Sequence, residues 1–221
     1  MSKHFELTDE TINHEGRTLH RIRATRDLPQ HGVRRGDLGG WVQFLDNILG
    51  EAWVGDESMV MDDARMGDNA SMRDNASMWG NAHMGGNASM WDDARMWDNA
   101  SMGGSARMWD NARMWGNARM QDNASMRGSG EATSPLHILT ASIHTSYQMD
   151  ATLYRTRGGG HILHIGCESG TLDHHQSLCD SDTWIETTGA DVIEAHPEYQ
   201  SLIDLCRTRV ARWNTKKETT A

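Results

Sequence analysis

Residues 62–79 read DDARMG DNASMR DNASMW, three six-residue units that share Ala at the third place and Met at the fifth. The unit runs on to residue 127: Ala occupies every sixth position from Ala64 to Ala124 and Met every sixth from Met66 to Met126, eleven hexads in all. Ser105 is the one departure from Asn or Asp at the second place. The phase extends upstream through Val42, Ile48, Val54 and Val60. Ala and Met stand two residues apart, so in an extended strand both point to one side. The polar pair between units suits a tight bend with unusual backbone angles. A helix is excluded, because apolar residues at i, i+2 and i+6 trace no single helical face and Asn, Asp and Gly oppose helix formation.

The residue after Met carries a second, longer period. Trp stands at 79, 97 and 115, and again at 91 and 109, each step being 18 residues. Arg73 and Arg127 continue the second column, and the third column reads Gly67, Gly85, Gly103 and then Gln121. Three hexads therefore close one coil, and the cross-section is a triangle with two Trp-bearing faces and one nearly bare face. The 86 residues from 42 to 127 make a little under five coils. No coil buries its inner face alone, so stacking makes the core. Each buried Met contributes roughly 1.5–3 kcal/mol before conformational entropy is subtracted.

The chain as a whole has 221 residues, a net charge of −10 and 37% apolar residues, with 15 Met and 9 Trp against 2 Phe and 3 Tyr. The low apolar content follows from a repeat in which two residues of six face inward. No segment is strongly basic, which disfavours nucleic acid as a partner. The opening residues lack the apolar run of a secretory signal, and no stretch approaches a membrane span, so the expected location is cytoplasmic, with no membrane partner. Three cysteines, Cys167, Cys179 and Cys206, argue for reduced thiols rather than a disulfide framework.

The hexads resemble the left-handed β-helix family, where an aliphatic inward residue is followed four positions later by a small one, as Met66 is by Ala70. Handedness comes from this resemblance. The departure is Met in place of Ile, Leu or Val, which makes a more plastic core. The opening FELTDETI (5–12), GRTLHRIRA (16–24) and GDLGGWV (36–42) resembles the N-terminal cap of YdcK-like hexapeptide-repeat proteins, common in bacteriophages and prophages. Leu153-Tyr-Arg-Thr156, Ile165-Gly-Cys167 and Gly170-Thr-Leu-Asp173 resemble the small C-terminal domain of the same group. This resemblance implies a fold and a bacterial host cell; it transfers no chemistry.

The resulting expectation is an all-β core: a left-handed triangular β-helix of about five coils (42–127), an N-terminal β cap (1–41), a linker (128–135) opened by Gly128-Ser-Gly130, and a small α+β domain (136–221). In the cap, Phe5–Leu7 and Thr18–Arg23 read as strands around a turn at residues 13–16. Beyond the linker, 136–143, 149–156 and 161–167 read as strands. A final helix reads from Pro197, with Tyr199, Leu202, Ile203, Cys206, Val210 and Trp213 on one face. This domain either seals the prism or serves as a recognition head.

Hexapeptide-repeat acyltransferases use a catalytic His, and the repeat offers only His83, on the Gly face. The uninterrupted hexads lack the loops that donor and acceptor pockets need. His161, His164, Cys167, His174, His175 and Cys179 are of Zn²⁺-ligand types, but their spacing matches no paired arrangement, so neither metal nor cofactor is expected. The Trp columns are the sharper feature. Trp79, Trp97 and Trp115 share a face with Arg95 and Arg113, where indole and guanidinium can stack, and Trp91 and Trp109 share one with Arg107. The rings either stabilise the coils by stacking, form a protein-partner surface, or stack sugars or nucleobases. Gly67, Gly85 and Gly103, with His83, admit a close neighbour, as in a dimer or trimer. The expectation is a non-enzymatic phage scaffold that binds a host protein, such as a defence component, through Trp79, Trp97, Trp115, Trp91, Trp109, Arg95 and Arg113. The alternatives are an acyltransferase centred on His83 and a sponge for a nucleotide-like ligand.

Overall fold

A computed structural model describes residues 3–144, 148–181 and 192–215. Its centre is a β-solenoid of about five turns with parallel stacked strands. Three cap strands, β1 (Phe5–His14), β2 (Arg17–Ala24) and β3 (Leu38–Val42), precede fourteen two-residue strands, β4 to β17, which run from Trp53–Val54 to Glu131–Ala132. Strands 18 residues apart pair in parallel, as Ser89 does with Arg107 and Arg95 with Arg113, giving the three sheets of a triangular prism.

Every Ala and Met of the eleven hexads is inside, none more than 3% exposed. The corners explain how a chain so rich in Asp and Asn folds this way. The first residue of each bend is Asp or Gly at positive φ, including Asp92 at 55° and Gly104 at 65°. Asp is among the few residues whose short polar side chain tolerates this region. Seven of these aspartates also accept, through Oδ2, the backbone N–H of the corresponding corner residue one turn on. Asp68 takes the N–H of Gly86 at 2.8 Å, Asp92 that of Asp110 at 3.2 Å, and Asp110 that of Gly128 at 3.1 Å.

The N-terminal cap is a longer hairpin than its apolar residues indicate, with β1 reaching His14 because its pairing with β2 continues to the turn. Strand β3 pairs antiparallel with β2 and parallel with Met59–Val60, so it converts a hairpin into the parallel stack. Three arginines clamp this cap to the first coil: Arg17 Nε donates to Asp62 at 2.6 Å, Arg21 donates to Glu57 at 2.7 Å, and Arg26 binds Glu51. Each guanidinium holds its carboxyl below the usual range, and the Trp41 indole N–H adds to the effect at Glu57.

At the other end the coil outlasts the expected boundary. Residues 128–130 do not open a linker; Arg113 N–H donates to Gly130 O at 2.9 Å, and Glu131–Ala132 pairs with Arg113–Met114. The phase explains this, since Gly130 stands in the Ala place and Ala132 in the Met place. Both are smaller than the repeat residue at that place, and a Cβ at Gly130 would lie 2.4 Å from Met126 Cγ. Ile138 and Tyr154 join the core at this end of the prism.

These two residues belong to a four-stranded antiparallel sheet, ordered β18 (Ile138–His144), β19 (Gln148–Arg155), β20 (His161–Ile165) and β21 (Glu168–Gly170). On its other face lie helices α1 (Leu172–Asp180) and α2 (Val192–Thr215), packed on Leu153, Leu163 and Ile165 through Tyr199, Leu202, Ile203 and Cys206. Period-two alternation decides the sides. Thr152 and Tyr154 of β19 face the prism, while Met149, Ala151 and Leu153 face the helices. Helix α2 starts at least as early as Val192, so Pro197 lies inside it rather than at its first turn.

Candidate functional site

The two Trp columns take their geometry from the solenoid. An 18-residue period fixes each indole over the one a turn before, about one strand spacing away. Trp79 and Trp97 stack with centroids 5.0 Å apart and planes 1° from parallel; Trp97 and Trp115 are 4.7 Å and 6° apart; Trp91 and Trp109 are 5.0 Å and 8° apart. All five are half-buried, so ring faces are covered and edges remain at the surface.

The two stacks end differently. Trp79 packs against a small cluster of Leu19, Trp41 and Met61, which joins the first column to the cap. The second column closes on Arg127, whose guanidinium lies 5.9 Å from the Trp109 ring centroid. Arg95 and Arg113 are not the arginines that the structure sets over an indole in the repeat; they open the two-residue strands that Trp97 and Trp115 directly follow. Arg127 is one turn beyond Trp109 in the same column, so it occupies the next place in the stack. Its position in the 18-residue column was the signal for that role.

Each Trp face is bordered by a crevice. On the first face, a groove of about 310 Å³ lies among His14, Met59, Met61, Trp79 and Arg95, partly walled by the cap hairpin. On the second, a groove of about 440 Å³ is lined by Ser71, Arg73, Ser89, Trp91 and Arg107. Arg107 also borders a second cleft of about 440 Å³, where the C-terminal sheet overhangs the prism beside Trp109, Ser125, Asp150, Thr152 and His164. Polar bonds fix this overhang: Ser125 N–H donates to Thr152 Oγ1 at 3.0 Å, Asn123 Nδ2 to Asp150 at 2.9 Å, and Arg157 to the Asn111 carbonyl at 2.6 Å. The C-terminal domain thus seals the prism and also walls one Trp face. Sequence reasoning missed Asp150, Thr152 and His164 as neighbours of Trp109, because only the tertiary docking of β19 and β20 brings them there.

The remaining candidates lie elsewhere. Gly67, Gly85 and Gly103 line the third face, and His83 stands beside them, exposed, with Nδ1 3.1 Å from the Arg65 carbonyl. The His/Cys constellation is dispersed. His164 faces the prism, Cys167 is exposed, and His161 Nε2 accepts the Leu172 N–H at 3.1 Å. His175 is fully buried, with Nε2–H donating to the Leu163 carbonyl at 2.8 Å and Nδ1 accepting from the Tyr199 hydroxyl at 2.6 Å. Burial lowers its pKa and keeps it neutral, as a core histidine. Cys179 lies 3.4 Å from His196 Nε2. Among the described residues, no group of three or more His, Cys, Asp or Glu is arranged to hold a metal ion, and no helix is long and apolar enough to cross a membrane.

The fold is a capped β-solenoid with stacked Trp columns on two of its three faces. Comparison with protein-family models and with curated proteins gives no match.

Proposed function

We propose that the chain is a non-enzymatic binding scaffold whose two Trp faces dock a protein partner. The observation that carries this reading is the pairing of each stacked indole column with an adjoining crevice. Flat indole edges and flanking arginines are the residue types on which protein interfaces concentrate their binding energy. Stacking holds the rings rigid before contact, which reduces the entropy lost on binding. The resemblance of the cap and C-terminal motifs to phage hexapeptide-repeat proteins makes a bacterial host protein, such as a defence component, the proposed partner, and the host cytoplasm the proposed location. Left-handedness belongs to the same proposal. His83 stands exposed with no insertion in the coils beside it, so acyl transfer gains no support from its surroundings.

The test is quantitative capture from host lysate by the wild-type chain and by a Trp97→Ser/Trp109→Ser variant, with circular dichroism confirming that the variant is folded. The proposal expects a protein retained by the wild type and reduced at least tenfold with the variant. Unchanged capture by the folded variant overturns it.

A further inference from the structure

The third face of the prism has a shape and charge pattern that its own fold does not require. Its outward positions form a ridge, Arg65, His83, Ser101 and Arg119, beside a furrow, Gly67, Gly85, Gly103 and Gln121. A Cβ at Gly67 or Gly103 would meet nothing within 4 Å, and one at Gly85 only Asp68 Oδ2 at 3.3 Å; none of the three has positive φ. Neither crowding nor backbone conformation inside the chain therefore calls for glycine here. The furrow's N–H groups are already paired along the ladder, Gly67 with Met84 O, Gly85 with Met102 O and Gly103 with Met120 O, so covering it strands none of these donors.

Charge supplies the second, independent observation. The rungs that carry Arg on the ridge carry Asp at the adjoining corner, Arg65 with Asp68 and Arg119 with Asp122. The two rungs between carry His83 with Gly86 and Ser101 with Gly104. All four charged side chains are exposed. A two-fold axis parallel to the prism lays the ridge of one copy in the furrow of the other, rung on rung. Arg65 then meets the partner copy's Asp68 corner and Arg119 its Asp122 corner, while the small residues meet between them. An antiparallel two-fold sets ridge against ridge and brings arginines together. On a chain of net charge −10, Arg65 and Arg119 of this face match Asp68 and Asp122 in number. At its upper end Leu45 and Leu49, 44% and 41% exposed, extend it with apolar surface. The hairpin tip of β19 and β20 docks at Asn111, the corner opposite this face.

We propose that two copies of this chain associate through this face as a parallel two-fold dimer, in which each Arg65 and Arg119 pairs with Asp68 and Asp122 of the other copy. Five rungs at strand spacing make a face about 24 Å by 20 Å, hence on the order of 1,000 Å² buried in total, the lower limit for a specific interface. An interface at this lower limit is expected to be weak and reversible, and both Trp faces of each copy stay outward.

Sedimentation velocity of the full chain from about 1 to about 200 µM tests this over the range of a weak, reversible dimer. The proposal expects a shift from monomer to dimer. A Gly67→Gln/Gly103→Gln variant, which fills the furrow without an internal clash, stays monomeric with an unchanged melting midpoint. Arg65→Glu/Arg119→Glu weakens association at least tenfold. A wild-type monomer throughout, a trimer, or a furrow-filled variant that dimerises as the wild type does overturns it.

Discussion

At the scale of single residues, the corner aspartates do the work that glycine alone would do less well. Each accepts a left-handed backbone conformation that costs a non-glycine residue roughly 1–2 kcal/mol, and most offset it by capping an N–H one turn away. Asp92→Ala keeps the strained φ of 55° and removes the acceptor for Asp110, so it should destabilise by about 1–3 kcal/mol. In a thermal melt this lowers the midpoint by about 2–10 °C. Asp92→Gly loses only the hydrogen bond and should cost less than Ala; the reverse order would contradict the conformational part of the argument. The bend itself was legible in the sequence, from paired polar residues at a fixed phase. The capping was not, because a bond across 18 residues follows from the closed coil and not from the local unit.

At the scale of elements, the two ends differ in how they hold the prism. The cap is fastened by Arg17–Asp62, Arg21–Glu57 and Arg26–Glu51, with His4 and His31 donating to the carbonyls of Ala52 and Glu51. The three carboxyls ionise at lower pH in the folded chain than in the unfolded one. Their contribution is complete above about pH 4 and is lost as pH falls through the folded values. His4 and His31 are held neutral by burial, so the unfolded chain takes up their protons first and stability declines as pH drops below about 6.5. Urea midpoints from pH 8 to pH 3 should therefore fall in two stages. Arg17→Met should shrink the lower stage; an unchanged lower stage would show that the Arg17 clamp does not stabilise the cap. These clamps were invisible in the sequence, since Arg17 and Asp62 lie 45 residues apart with no shared period. The final coil was missed for a related reason: Gly128-Ser-Gly130 looks like a breaker until the hexad phase is carried through it to Ala132.

At the scale of the whole molecule, the solenoid converts a six-residue code into three distinct surfaces. The Trp registers, the bare glycine column and the inward Met were all readable from periods of 6 and 18, because a solenoid makes sequence spacing equal to spatial position. What the periods could not supply is the docking of the C-terminal sheet over Trp109, which depends on non-repeating residues. The central claim is that the Trp faces are docking surfaces as well as stabilising stacks. Hydroxyl-radical footprinting of the chain, alone and saturated with the proposed protein partner, reads the exposed indole edges directly. The account predicts that oxidation of Trp91, Trp97, Trp109 and Trp115 falls in the complex while that of Phe44 and Leu205 holds. Unchanged oxidation of all four tryptophans in a saturated complex would contradict it.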